Sequence, residues 1–391
     1  MPLPWLYAYS LEVTYLRTGY LFQAIGFVML EQLKKIEHIK KLDRIKNILS
    51  LVALKLPPRQ LEVIAGSKPY VWEGRVLDPQ LHVVAKAYAV ESPLYSFPIK
   101  LARTQYVESS KLLDSQRRKS VKVKNRTISL SSAAGNRSVA IRIFNPPQLS
   151  DEPIPVMVYY HGGGWSVGSS DTVDALCSGF AEDLNHIVIS VDYRLAPEHK
   201  YPAAADDALD SFLWLKNNVS HYGGDENNVY VAGDSAGGNL AAVVSQQTVK
   251  NGLPAPSAQV LIYPATDMRN CTLTHHTQAE GLPLCGNTIT WFNGMYMGGD
   301  ADKQEIKASP GLAKGKWLGK LPPTIITTAG FDVLRDEGEA YAKLLKSAGV
   351  PVWYHEYSHL MHAYVTMTGH IDAAGIAVKH TTEQIRELIK R

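Results

Sequence analysis

The chain has 391 residues, of which 45% are hydrophobic and 20% charged, with a formal net charge of +3. This composition suits one large globular domain with an appendage, or two domains, and excludes wholesale disorder. The charge is too small to point to nucleic acid.

Residues 1–58 carry an apolar, aromatic stretch from Tyr20 to Leu33. Leu30, Leu33, Ile36, Ile39, Leu42, Ile45 and Ile48 then recur every third residue. A period of three drifts by about 60° per step around a straight α-helix. The pattern therefore predicts two helices broken near Lys41–Asp43, or one helix packed on several sides. Polar positions here are mostly basic, including Lys34, Lys35, Lys40, Lys41, Arg44 and Lys46. Two readings follow: peripheral membrane contact through residues 1–58, or a cap over an active site with a solvated basic edge, the latter preferred. The uncharged run Thr18–Leu30 is too short to span a bilayer. Met1–Leu16 lacks the basic start of a secretory signal. Three cysteines, Cys177, Cys271 and Cys285, with no C-x-x-C spacing, read as reduced thiols in a cytoplasmic protein. Pro57-Pro58 is expected to end this unit, and residues 59–118 to form irregular and short helical connections.

From Ser120 the pattern changes. Val121–Val123, Thr127–Leu130 and Val139–Phe144 alternate like strands around a turn at Ala134–Asn136. Buried-type strands follow at Val156–Tyr160, Ile187–Val191, Asn228–Ala232, Ala258–Tyr263, Thr324–Thr328 and Val352–Glu356. Helical stretches lie at Val173–Leu184, Ala203–Lys216, Gly237–Lys250 and Glu337–Ala348. This alternation predicts an α/β fold with a mostly parallel sheet and helices on both faces. The expected division is a helical segment and cap over 1–118 and a catalytic domain over 119–391. Asp336 and Glu339 read as a capping box for the helix carrying Tyr341 and Leu344.

Gly233-Asp234-Ser235-Ala236-Gly237 sits between the strand Val229–Ala232 and a small-residue helix. Glycine two residues either side of Ser235 lets strand and helix pass closely and lifts a strained serine out of the fold, beside a helix N-terminus. His161-Gly162-Gly163-Gly164-Trp165 follows another strand, and side-chain-free glycines expose backbone N–H groups to a carbonyl substrate. The N–H groups of Gly163, Gly164 and Ala236 are the expected oxyanion donors, each worth on the order of 3 kcal/mol in acyl-transfer sites. His161 reads as a residue that shapes this loop. A phosphate loop is excluded by the lack of a Lys-Ser/Thr pair or GxGxxG spacing.

The acid and base should follow later strands in the order Ser, Asp, His. Asp332 stands at the end of the strand beginning at Thr324, where open α/β sheets build their sites. After the strand at Val352 come His359 and His362, of which His362 is chosen as the base. Ser235 then attacks an ester carbonyl, His362 carries the proton and Asp332 orients the imidazole, with no cofactor or metal. Asp234 and Glu198 are assigned to holding loops. Trp165, Trp291 and Tyr296 line a substrate pocket or pack in the core. Cys271, His275, His276 and Cys285 match no zinc spacing.

With these residues assembled, the sequence resembles the hormone-sensitive-lipase-like carboxylesterases, also called bacterial family IV, and is most similar to the subfamily whose elbow reads GDSAG. The blocks that carry this are His161–Trp165, Asp192–Glu198 with Tyr201–Ala203, Gly233–Ala241, Tyr263-Pro264, Ser309-Pro310, and Leu334–Gly338 beside Asp332. They cover roughly residues 120–370 in order. The resemblance implies an α/β-hydrolase fold, a helical cap, esterase activity on short to medium acyl chains, and the triad and oxyanion donors above. It also implies pairing of two copies through the last strand, here 351–358, an edge open to pairing. His362-Ala363-Tyr364 departs from the family's His-Gly-Phe, and the N-terminal segment is longer than the usual cap. Two rival functions are an interface-active lipase using residues 1–58 and a non-catalytic ligand-binding protein of the same fold. His362 favours the enzyme.

Overall fold

The computed structural model describes residues 51–66, 68–148, 152–276, 282–300 and 302–390. The helix pattern lies outside them, as do residues 1–50 of the segment 1–58 read as a membrane contact. Leu56–Arg391 forms one compact unit. No helix among the described residues is long and apolar enough to cross a membrane, and all three cysteines are free.

The core is an eight-stranded sheet. In chain order its strands are β3 (Lys122–Ser132), β4 (Gly135–Asn145), β5 (Ile154–Tyr160), β6 (Ile187–Asp192), β7 (Gly224–Asp234), β8 (Gln259–Ile262), β9 (Thr324–Phe331) and β10 (Val352–Met361). A separate two-stranded hairpin, β1 (Val71–Trp72) and β2 (Arg75–Val76), precedes them. The spatial order is β10-β9-β8-β7-β5-β6-β4-β3. β3 and β4 pair antiparallel as the sequence predicts, over eleven residues each. From β6 to β10 every neighbouring pair is parallel. The strands β5, β6, β8 and β9 and the second half of β7 are buried almost throughout because helices cover both faces, which is why they read as apolar runs.

The four helical stretches are present, as Asp174–Leu184, Ala203–Lys216, Ala236–Lys250 and Arg335–Ser347. One expected boundary is met and two expectations are corrected. The chain divides between Lys55 and Leu56, just before Pro57-Pro58, and Pro58 opens the helix Pro58–Ile64, where its missing N–H costs nothing. Residues 59–118 hold two substantial helices, Pro79–Val90 and Ile99–Leu113. Asp336 does not cap its helix. Leu334 holds the cap position without a side-chain bond, its N–H goes to Asp332 Oδ1 at 2.9 Å, and Asp336 pairs with Arg335.

Two buried titratable groups set opposite pH slopes on stability. Asp114 accepts from Ser115 N and Thr368 Oγ1, both at 2.8 Å, and burial pushes its carboxyl up from 3.8 to about 6. His186 lies 2.8 Å from the Tyr230 hydroxyl, and burial pushes its imidazole down from 6.5 to about 4. Between these values the folded chain holds the Asp114 proton more tightly than the unfolded chain, so this contribution falls as pH rises. The unfolded chain takes up the His186 proton more readily, so that contribution falls as pH drops. Relative to wild type, Asp114→Asn is expected to steepen the loss of stability towards acid and His186→Asn to flatten it. Urea unfolding from about pH 4 to about pH 7 reads both.

Candidate active site

Ser235 follows β7, Asp332 follows β9 and His362 follows β10, so all three leave the carboxyl edge of one sheet. Ser235 has φ 55° and ψ −119°, a strained backbone for a residue with a side chain. Its Oγ lies 3.0 Å from His362 Nε2, and His362 Nδ1 lies 2.7 Å from Asp332 Oδ2. Asp332 is fully buried, while Ser235 and His362 are buried to 9% and 6% exposure. Asp332 divides its oxygens: one faces the imidazole and the other accepts Leu334 N–H, which fixes the carboxylate plane. His359 is exposed, and its carbonyl accepts from Asp78 N at 3.0 Å.

The glycine loop lies against the same serine. Gly163 and Gly164 have φ of 114° and 54°. Among the described residues, no acceptor takes the N–H of Gly163, Gly164 or Ala236. A Cβ on Gly162 would meet Asp234 Oδ2 at 2.3 Å, and one on Gly164 would meet the Phe292 ring at 2.2 Å. Asp234 holds the loop, accepting from Gly162 N at 2.9 Å and Tyr159 Oη at 2.8 Å. Burial pushes its carboxyl up, and these two donors work against that. His161 stacks on Tyr193 at 4.4 Å, with Tyr193 Oη donating to its carbonyl at 2.7 Å, and burial pushes its imidazole down. Both residues shape the loop.

Glu198 sits at the rim and binds Arg103 at 2.6 and 3.0 Å. Arg103 also donates to the carbonyls of Ser166 and Ala196 at 2.9 Å, so the helix Ile99–Leu113 is fastened to the segment after the glycine loop. One turn on, Tyr106 packs against the core, and burial together with the Asp234 charge pushes its phenol up. Trp165 is buried and stacks on Tyr296 at 4.6 Å; Trp291 packs on Phe292. Among the described residues, no group of three or more His, Cys, Asp or Glu can hold a metal. His275 instead lies 3.0 Å from buried Glu337.

Three neighbours of the site escaped sequence reading. Tyr263, with φ 35°, lays its ring 4.6 Å from that of His362. Phe292 covers Gly164, and the β1–β2 hairpin stands over the end of β9. Tyr263-Pro264 directly after a strand was the one visible signal.

A family model described as the alpha/beta hydrolase fold matches residues 157–366. The chain belongs to this family. Carboxylic ester hydrolase LipN of Mycobacterium tuberculosis is 34% identical over 80% of this chain and 83% of its own length. Ethyl acetate hydrolase of Pseudomonas putida is 33% identical over 75% and 92%. Of solved structures, the hyperthermophilic esterase from the archaeon Pyrobaculum calidifontis superposes with a TM-score of 0.72 at 34% identity, over 80% of this chain and 98% of that one.

Proposed function

We propose that this carboxylic ester hydrolase, a relative of the hormone-sensitive-lipase-like esterases and of their GDSAG subfamily, cleaves short- to medium-chain acyl esters through an acyl-serine intermediate. The observation that carries the reading is the unbroken run from Ser235 Oγ through His362 to Asp332 on a strained turn. Ser235 Oγ attacks the ester carbonyl as His362 Nε2 takes its proton. The carbonyl oxygen, now an anion, is held by the N–H groups of Gly163, Gly164 and Ala236. The imidazolium, stabilised by Asp332, protonates the departing alcohol. Water then repeats the cycle on the acyl-serine.

Residues 58–118, from the described part of the segment 1–118 read as the cap, serve as cap. Support comes from the helix Ile99–Leu113, which Arg103 fastens beside the glycine loop. Pairing of two copies through residues 351–358 is supported by the place of β10 at the end of the sheet. Free cysteines accord with a cytoplasmic site of action.

Hydrolysis of p-nitrophenyl esters from acetate to palmitate tests the reading, with mass spectrometry after a fluorophosphonate. The expected result is highest kcat/KM on the shorter chains and one adduct, on Ser235. Activity on none of the esters would remove the reading. A rate that jumps only on aggregated long-chain esters would replace it with an interfacial lipase.

A further inference from the structure

The ladder between β9 and β10 is regular from Val352 to Tyr357 and then shifts register before Met361. Gly330 lies so close to the bulged strand that a Cβ there would stand 2.1 Å from Ser358 O. The pairing resumes only at Met361 and Phe331, the residues just before His362 and Asp332. Beyond the irregular stretch, strand pairing thus holds the base and the acid through this one pair of residues and the bond from His362 N–H to Phe331 O.

We propose that the hairpin Val71–Val76 is a clamp that positions the Asp332–His362 pair; the inference rests on the reading of that pair as catalytic acid and base. Phe331 is the hub. It precedes Asp332 in the chain, its carbonyl accepts His362 N–H at 3.3 Å, and its fully buried ring is pressed by Tyr70 and Trp72 at 5.5 and 6.1 Å between ring centres. The Trp72 ring also carries the Arg335 guanidinium at 5.2 Å. Arg335 reaches both neighbours of Phe331: its Nη1 donates to Gly330 O at 3.0 Å and its backbone N–H to Asp332 O at 3.2 Å. The Glu73 carboxylate, in the hairpin turn, pairs with the same guanidinium.

The other strand of the hairpin grips the histidine's strand. Arg75 binds Glu356 through Nε and Nη2, at 2.5 and 2.9 Å. Asp78 N, just past the hairpin, donates to His359 O at 3.0 Å. Glu73 and Gly74 both have positive φ, 48° and 77°, as two-residue hairpins with the strand twist require. One small element thus touches the acid's strand and the base's strand at their bulged ends, and Trp72, Glu73 and Arg75 are its positioning residues.

The test compares wild type with Trp72→Ala, Trp72→Phe and Glu73→Gln. Three quantities are read: kcat per phosphonate-titrated site, KM, and the low-field proton resonance of His362, assigned by its loss in His362→Ala. Displacing catalytic groups by an ångström costs up to about 100-fold. Trp72→Ala is expected to lose about 10- to 100-fold in kcat with KM unchanged and to broaden the low-field proton. Trp72→Phe should restore most of both, and Glu73→Gln should fall between. Normal kcat per titrated site and an undisturbed proton in Trp72→Ala, with only Tm lowered, would overturn the clamp. If Trp72→Ala does not fold, Glu73→Gln and Arg75→Lys decide by the same readouts. Should wild type cleave no ester, the catalytic reading fails separately, because the proton still reports whether the hairpin orders the pair.

Discussion

Ser235→Ala is expected to lower kcat/KM for p-nitrophenyl acetate by about 10⁴-fold or more, and His362→Ala by a similar factor. In the proposed mechanism the two side chains act on one proton: Ser235 Oγ is a poor nucleophile until His362 Nε2, 3.0 Å away, removes it. Removing either group removes the same step. The double variant should therefore be little worse than either single one, and additive losses would show that the residues act independently. Asp332→Asn should also cost about 10⁴-fold, because an amide facing Nδ1 favours the imidazole tautomer that cannot accept from serine. None of these changes should unfold the protein. The Ser235 side chain has His362 as its hydrogen-bond partner, and its backbone strain is unaltered in alanine. Near-wild-type turnover in purified, folded Ser235→Ala would assign the nucleophile elsewhere.

The sheet and the site were legible for one shared reason. Strands covered on both faces must be apolar at successive positions, so β5, β6, β7 and β9 stand out of the sequence, and the turns at their ends are where Ser235 and Asp332 sit. The glycines announced themselves because backbone contacts allow nothing larger. Elements that bury little of themselves were not legible. The helix Ile99–Leu113 buries only Ala102 and Leu113 fully, and Lys100, Arg103, Thr104, Gln105 and Glu108 interrupt its apolar residues along the chain. The β1–β2 hairpin has two residues per strand, too few for alternation to register, and Val71 and Val76 face solvent. The capping box was misread because sequence spacing cannot reveal that Asp332, a tertiary partner of His362, also takes up the N–H of Leu334. Phe292 and Tyr263 reach the site across long chain separations, Phe292 from within the excursion between β8 and β9. No local pattern encodes such contacts.

Gly237→Ala should be the most damaging single-methyl change in the fold, and the reason is that its surroundings are backbone. A Cβ on Gly237 would stand 1.9 Å from Tyr160 O and 2.7 Å from His161 O. A crowded side chain can turn to another rotamer; a carbonyl in a strand cannot. Tyr160 ends β5, which is paired with β6 on one side and β7 on the other, so moving it breaks ladders on both. Moving the helix Ala236–Lys250 instead pulls Ala236 N–H from the serine. A destabilisation above about 4 kcal/mol is expected, large enough to deplete soluble protein, and any soluble fraction should show kcat falling further than KM rises. Gly179→Ala is the matching control. It lies inside the helix Asp174–Leu184 with no atom within 4 Å of its would-be Cβ, so the same methyl should stabilise by about 0.5–1 kcal/mol. Chemical unfolding of the two variants beside wild type separates the explanations. Opposite signs mean that close backbone approach, rather than glycine as such, sets the requirement at the elbow. Equal, mild losses would mean that β5 and the helix separate readily and that the strain at Ser235 has another source.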